Sequence, residues 1–412
     1  MARSLSLVVL LALVAGIAAG ALIRASGAPA LADGAEIVEA FGGLWLNALR
    51  MTVVPLVFSL LVTGIAAVAD AAATGRLTAR AMLLFLALLL FAALYAVAVS
   101  TGLLALWPVD RAGAAAFLAG AGGAAPGNAA APSFSAWLQG LAPSNPIRAA
   151  AEDAILPLVV FAVFFGFAAT RLAPALREPL VSFFRAVSET MVVIVHWVLL
   201  AGPFGVFALA LGVGLRAGFG AAATLVHYVA LVSAVTLGIT CIAWLLAVTF
   251  GRQKIGVFTT AAAPVWAIAF STQSSLASLP AMLEAARTGL GIPARVTDLV
   301  LPLAVAVFRF TSPAANLAVC FFIAHLYGLE PSILQIAGAV IVAIGVSIGS
   351  VGLPGQISFI ASVAPITLAL GVPVDLLGIL LAVEVIPDIF RTLGNVTGDL
   401  AATSIINRKA KD

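Results

Sequence analysis

Apolar residues run along this chain in stretches far longer than the buried face of a soluble helix requires. Met82 to Trp107 contains no charged residue. Apolar runs above about 18 residues mark helices that cross a bilayer. The pattern predicts spanning helices near 5–26, 41–69, 80–107, 154–171, 179–213, 219–250, 296–327 and 375–406. Several exceed the roughly 20 residues of a perpendicular span, so they tilt or overhang. The segment 110–150, rich in Gly, Ala, Pro and Ser, reads as mostly an outside loop, with Pro143-Ser144-Asn145-Pro146 breaking the helix before 154–171. The first apolar run extends to about Ile23, longer than a signal peptide needs, and reads as a retained helix.

Two apolar stretches, 255–287 and 333–370, depart from this pattern. Each is interrupted at its centre by small polar residues followed by proline: Ser271-Thr272-Gln273-Ser274-Ser275-Leu276-Ala277-Ser278-Leu279-Pro280, and Ser347-Ile348-Gly349-Ser350-Val351-Gly352-Leu353-Pro354-Gly355. One long helix follows each, so the order is hairpin, helix, hairpin, helix. If each hairpin returns to its own side, the two units form an inverted repeat, the usual chassis for alternating access. Broken backbone at membrane depth is tolerated where protein covers it or a wet cavity adjoins it. The alternative is two ordinary helices kinked by Pro280 and Pro354.

Composition agrees with lipid as the solvent. Of the 412 residues 63% are hydrophobic and 9% charged, where a soluble domain carries about a quarter charged residues. The net charge of +3 gives no reason to expect nucleic-acid binding. Neither zinc-ligand spacing, a phosphate loop nor a nucleophile elbow is present, so an enzyme is not expected, nor is an organic cofactor. Cys241 and Cys320 read as small core hydrophobes; His196, His227 and His325 stand isolated in sequence. With the N-terminus in the cytoplasm, Arg3, Arg76, Arg80, Arg171, Arg177, Arg252, Lys254, Arg408, Lys409 and Lys411 all fall inside, against Arg24, Arg111 and Arg216 outside. That bias predicts a multi-pass protein of the cell (inner) membrane with both termini cytoplasmic.

The sharpest chemical signal is in the last helix. Glu384, Asp388, Arg391, Asn395 and Asp399 are spaced by four, three, four and four residues, with Thr392 beside them. At about 100° per residue they lie within an arc of roughly 80°, one polar stripe on an apolar helix that Pro387 kinks. An ionisable group at the bilayer centre costs about 2.5–3.5 kcal/mol on insertion scales, so the stripe must face partners or water. One reading is an internal salt-bridge lattice, with Asp388 and Arg391 paired at i,i+3. The other is a solute site. The planar fork of Arg391 suits a carboxylate, and Asp388 can accept from an ammonium group. Together they select a small anionic amino acid, or a dicarboxylate. A second carboxylate could meet backbone N–H groups at the hairpin tips, around Ser274, Ser275 and Gly349 to Gly355.

At these residues the chain resembles the glutamate and dicarboxylate:cation symporter family. Met51-Thr52-Val53-Val54-Pro55 resembles the second-helix signature, and Leu156-Pro157 the fourth-helix entry. Gly202-Pro203-Phe204-Gly205-Val206-Phe207-Ala208 is similar to the fifth-helix pattern. The most specific match is Asp388-Ile389-Phe390-Arg391-Thr392-Leu393-Gly394-Asn395-Val396-Thr397-Gly398-Asp399. The resemblance implies an all-α membrane protein with eight transmembrane helices and two re-entrant hairpins, a homotrimer of elevator-type transporters. It implies helices of scaffold and transport domain in 1–107, loop and helices four to six in 108–250, and the transport core in 251–412. It implies solute contacts from Ser274, Ser275, Ser312, Leu353, Pro354, Asp388, Arg391, Thr392 and Asn395. Cation coupling falls to Arg309, Ser347, Ser350, Glu384, Asn395 and Asp399, with residual sodium at Asn395 and Asp399. The coupling ion is Na⁺ or H⁺.

Two departures stand out. The first hairpin of the family usually carries three serines and then Gly-Thr-Leu-Pro, where this chain has Ser274-Ser275-Leu276-Ala277-Ser278-Leu279-Pro280. The family's seventh helix carries Asn-Met-Asp-Gly-Thr, whose Asn and Asp coordinate sodium, and here the stretch reads Phe308-Arg309-Phe310-Thr311-Ser312. Two benzyl groups cannot rebuild a shell of hard oxygen ligands. Arg309 is therefore expected to point at Asp399 as a tethered cation in place of sodium, unless it snorkels elsewhere. The expected function is symport of glutamate, aspartate or a related dicarboxylate, with sodium-independent or proton coupling, Glu384 being the candidate proton carrier. The alternative is a membrane solute sensor that binds without transporting.

Overall fold

The computed structural model describes residues 2–73, 75–120, 134–218, 220–349 and 355–409. Helices account for all the regular structure among them. The first half comprises α1 (Ala2–Ser26), α2 (Pro29–Arg50), α3 (Val53–Ala73), α4 (Arg76–Leu106), α5 (Arg111–Gly120), α6 (Phe134–Gly140), α7 (Pro146–Ala151), α8 (Ile155–Ala169), α9 (Pro174–Leu200) and α10 (Gly202–Ala217). The second comprises α11 (Gly220–Thr249), α12 (Ile255–Thr272), α13 (Leu279–Glu284) with a π-helical turn at Ala285–Gly289, α14 (Ala294–Val307), α15 (Ser312–Leu326), α16 (Ile333–Gly349), α17 (Gly355–Ala369), α18 (Leu377–Val383) and α19 (Val385–Lys409). Among the described residues, seven stretches are long and apolar enough to cross a membrane.

Both interrupted segments fold as helical hairpins, α12–α13 and α16–α17. The tip of the second, with Ser350, Leu353 and Pro354, lies outside the described residues. Elsewhere the boundaries differ from the sequence expectation. The segment 110–150 is not mostly loop: it holds α5, α6 and α7. Asn145 caps α7, its Oδ1 accepting from the N–H groups of Ile147 and Arg148 at 2.9 and 3.1 Å, with Pro146 at the first position. Four expected single helices are each divided: 41–69 at 51–52, 179–213 at Ala201, 296–327 at 308–311, and 375–406 at Glu384. A proline sits just past each break, at Pro55, Pro203, Pro313 and Pro387. A proline has no N–H to offer the carbonyl four residues back, so the ladder is weakest across those joints.

The charged residues sort to two ends. At one, Arg24 Nη1 donates to the Arg216 carbonyl at 2.6 Å, and Arg216 pairs with Glu39. At the other, Arg177 pairs with Asp70, and Arg408 Nη1 donates to the Phe250 carbonyl at 3.2 Å. Chain direction along α1, α2–α3, α9–α10 and α11 places these pairs at opposite ends. Opposite ends of one bundle are what a spanning protein's loop charges require.

Packing forms one extended core. α10 lies between α1 and α2, α3 rests on α8 and α9, and α19 is flanked by α11, α12 and α14. α15 is buried almost residue for residue, which suits a helix surrounded by protein rather than lipid. Close contact between α1 and α10 depends on small residues. A Cβ at Gly20 would fall on the backbone of Leu211 and Leu215, whereas one at Gly34 meets nothing within 4 Å. Gly20→Leu is therefore expected to cost about 1–3 kcal/mol through overpacking, with Gly34→Leu silent. Thermal melting of the two variants in detergent would check this, and equal melting temperatures would contradict the packing account.

Candidate functional site

α19 starts one residue after Glu384, and Pro387 lies in its first turn, where its missing N–H would have bonded the Val383 carbonyl at the α18–α19 joint. Asp388, also in that first turn, sits where the helix dipole favours an anion. All five members of the stripe, with Thr392, are buried. Although the break shifts Glu384 off the ideal arc, its side chain still reaches the others.

Arg391 is the centre. It is 2% exposed, so its charge depends on neighbouring side chains rather than water. Its Nη2 pairs with Glu384, and its Nη1 donates to Asn316 Oδ1 at 3.0 Å. Its Nε stands 3.9 Å from Asp388 Oδ1, close enough for an ion pair and too far for a hydrogen bond. That Nε has no hydrogen-bond partner. Glu384 accepts in addition from the Tyr228 hydroxyl at 2.6 Å, and Asn316 Nδ2 donates to Ser312 Oγ at 3.2 Å. Tyr228 and Asn316 escaped the sequence reading. Their only signal was a polar group within an apolar helix, four residues past Ser312 in the case of Asn316.

The 308–311 break faces α19. Asn395 Oδ1 accepts from the Thr311 backbone N–H at 2.9 Å, and Thr311 Oγ1 lies 2.8 Å from both Asn395 Oδ1 and the Arg391 carbonyl. Asn395 thus satisfies backbone that an unbroken helix would have satisfied itself. Gly394 and Gly398 permit the approach: a Cβ at Gly398 would come within 2.8 Å of Phe310 Cβ, and one at Gly394 would strike Thr240 and Thr311. Phe308 stacks on Phe85 with centroids 4.5 Å apart and also touches Phe310 at 5.7 Å. Both rings are buried. Arg309 Nη1 donates to Ser358 Oγ on α17 at 2.9 Å. Its segment packs on α19 at Asn395 and Gly398, between Asp388 and Asp399 in the chain. Asp399 is 1% exposed, and neither of its carboxylate oxygens has a hydrogen-bond partner.

The remaining expected residues are placed as follows. The first hairpin tip reaches the start of α19 through Gln273, a left-handed residue whose Nε2 lies 3.4 Å from the Val385 carbonyl. Ser274 Oγ accepts from the Ala277 N–H at 3.2 Å, within its own turn, and Ser275 is adjacent. Thr392 and Ser347 donate to carbonyls of their own helices, Asp388 at 2.9 Å and Ala343 at 2.6 Å. The structure therefore brings Glu384, Asp388, Arg391, Asn395, Asp399, Arg309 and Ser312 together. The described hydrogen bonds hold Ser274, Thr392 and Ser347 within their own elements. The isolated histidines are not all isolated in space: His227 stacks on Trp107 with centroids 3.9 Å apart, and His325 Nε2 accepts weakly from the Val109 N–H at 3.4 Å.

Chemically, this is a buried charged cluster beside a broken helix pair and a hairpin, in which, among the described residues, one guanidinium N–H and one carboxylate have no hydrogen-bond partner. Buried polar groups without partners are few in folded proteins, and each calls for an explanation. Residues 5–409 match the model of the sodium:dicarboxylate symporter family. The proton/glutamate-aspartate symporter of Escherichia coli is 30% identical over 90% of this chain and 85% of its own length. The human neutral amino acid transporter B(0) is 30% identical over 98% of this chain and 80% of its own. A proton/sodium-glutamate symport protein of Bacillus caldotenax is 26% identical over 97% and 93%.

Removing Arg391 leaves Glu384 and Asp388 as buried, uncompensated carboxylates. Arg391→Met is expected to cost about 3–5 kcal/mol, and Tyr228→Phe, which removes one donor of several, about 1–3 kcal/mol. Unfolding in detergent measures both. Equal losses would show that the guanidinium does not anchor the cluster.

Proposed function

The chain belongs to the sodium:dicarboxylate symporter family, and from that premise we propose that it carries acidic amino acids, glutamate or aspartate, in symport with protons. As a family member it is a multi-pass membrane transporter and not an enzyme. The observation that carries the substrate reading is the buried Arg391 Nε, which among the described residues donates no hydrogen bond, with Asp388 3.9 Å from it and a second cation, Arg309, on the segment that packs against α19. A solute carboxylate placed there would complete the hydrogen bonding of Arg391, and its ammonium would lie against Asp388. Ser312, Thr392 and Asn395 would add polar contacts. Backbone near Ser274 and Ser275, and at Leu353 and Pro354 in the second hairpin, would close over the solute. The solute named for the E. coli relative supports this choice.

Proton coupling is assigned to Glu384. It accepts from Tyr228 and Arg391. A solute carboxylate that draws Arg391 away would leave Glu384 a buried anion with one fewer donor, which favours proton uptake. Ser347 and Ser350 would belong to the same coupling region. The architecture implied is an elevator of eight spanning helices and two hairpins. The chain divides into scaffold and transport helices (1–107), loop and helices four to six (108–250) and a transport core (251–412). It would assemble as a homotrimer in the inner membrane, with both termini cytoplasmic. A binding-only sensor is favoured by one observation, the rings of Phe308 and Phe310 filling the seventh-helix break.

Reconstitution separates these readings. Labelled glutamate is expected to accumulate in proteoliposomes along an inward proton gradient and to exchange in counterflow; absence of both would leave only the sensor. Glu384→Gln is expected to keep counterflow and lose the response to the gradient. Asp388→Asn should weaken glutamate binding about tenfold while sparing succinate, which has no ammonium group. Equal losses for the two solutes would sink the assignment of Asp388.

A further inference from the structure

The family name implies a sodium site, and the residues here do not fit one. Hard cations are held by shells of several oxygens. Beside Asp399 stands instead the buried ring of Phe310, pressed against Gly398 and touching Phe308. The amide oxygen one turn back, Asn395 Oδ1, already accepts from Thr311. Among the described residues, Asp399 has no set of oxygens around it that would complete a shell.

Asp399 nevertheless needs positive charge. It is buried, and both its oxygens are without hydrogen-bond donors. An ionised carboxylate in that position is costly unless a cation faces it. Arg309 is the cation of the segment that packs beside it, where Thr311 meets Asn395 and Phe310 meets Gly398. Its guanidinium donates to Ser358, on the second arm of the second hairpin. Arg309 springs from the non-helical residues between α14 and α15, the segment that faces α19. One side chain thus links the charge of the site to a hairpin arm. A bound cation shared between them would impose the same linkage.

We infer that Arg309 is a tethered counter-ion: it supplies as part of the chain the positive charge that Asp399 and Asp388 require, so that solute binding and exchange proceed without sodium. Arg309 is a positioning residue in this account and does not contact the solute. The inference rests on the carrier reading above, deepening it to name what replaces the metal.

The test is glutamate counterflow in proteoliposomes, with sodium or choline as the only added cation. Wild-type exchange is expected to be equal in the two salts. Arg309→Met should lose about tenfold in choline, with partial recovery on adding millimolar guanidinium, and Arg309→Lys should lose less. Arg309→Met with Asp399→Asn removes both members of the pair and is expected to fold and exchange better than either single variant. Gel filtration of all four variants, the single Asp399→Asn included, reads folding separately. Wild-type exchange that needs sodium overturns the tethered counter-ion and leaves the carrier standing. Additive losses in the double variant overturn it as well. A wild type that exchanges in neither salt overturns the carrier reading and the role of Arg309 with it.

Discussion

The pairing of Arg391 with Glu384, both 2% exposed inside an apolar bundle, is the constraint from which the rest of the site follows. Two ions removed from water recover their solvation only if every remaining lone pair and N–H finds a partner. Tyr228 from α11 and Asn316 from α15 provide two of those partners. Two separate helices are thereby fixed against the α18–α19 joint and α19 by polar contacts that lipid could not replace. What is left unmatched is therefore informative. Among the described residues, the Nε of Arg391 and the carboxylate of Asp399 have no hydrogen-bond partner.

The broken helices serve the same end. An intact helix keeps its backbone dipoles to itself and presents only side chains. At 308–311 and at the first hairpin tip the backbone is open. At the first of these openings Asn395 takes up a freed N–H, and at the second Gln273 reaches toward the Val385 carbonyl. The prolines that follow the breaks weaken the ladder locally, and glycines at 394 and 398 let α19 approach closely enough for those contacts. Stability there comes from tertiary contacts rather than helix propensity, which is how irregular backbone survives at membrane depth.

Much of this was legible in the sequence, in layers that follow the strength of each physical signal. Apolar run length marks spanning helices reliably because each residue adds to the same sum, and the two hairpins showed as polar interruptions at the centre of such runs. The stripe from Glu384 to Asp399 was legible because charge in an apolar helix is expensive and so is never idle. The division of four long helices was less so: hydropathy does not change across Ala201 or Glu384, and Pro203 and Pro387 also suit a continuous kinked helix. Short amphipathic helices such as α5 hid in the Gly- and Ala-rich segment for a similar reason. Tyr228 and Asn316 could not be found from spacing at all, because each meets Arg391 or Glu384 across the fold rather than along one helix face.

Charge balance carries the argument one step further. Three carboxylates and two guanidiniums leave the pocket with one net negative charge when all are ionised. An acidic amino acid, with two carboxylates and one ammonium, adds another. Moving two net charges through a low-dielectric interior is costlier than moving one, since the solvation penalty grows with the square of the charge. A mobile cation that travels with the solute relieves that excess. Where Phe308 and Phe310 replace the oxygens that would hold a metal, the smallest cation, a proton on a buried carboxylate, is the one that needs no ligand shell. The proposed proton coupling thus rests on the rings that fill the break between α14 and α15 and on the charge that Arg309 contributes there.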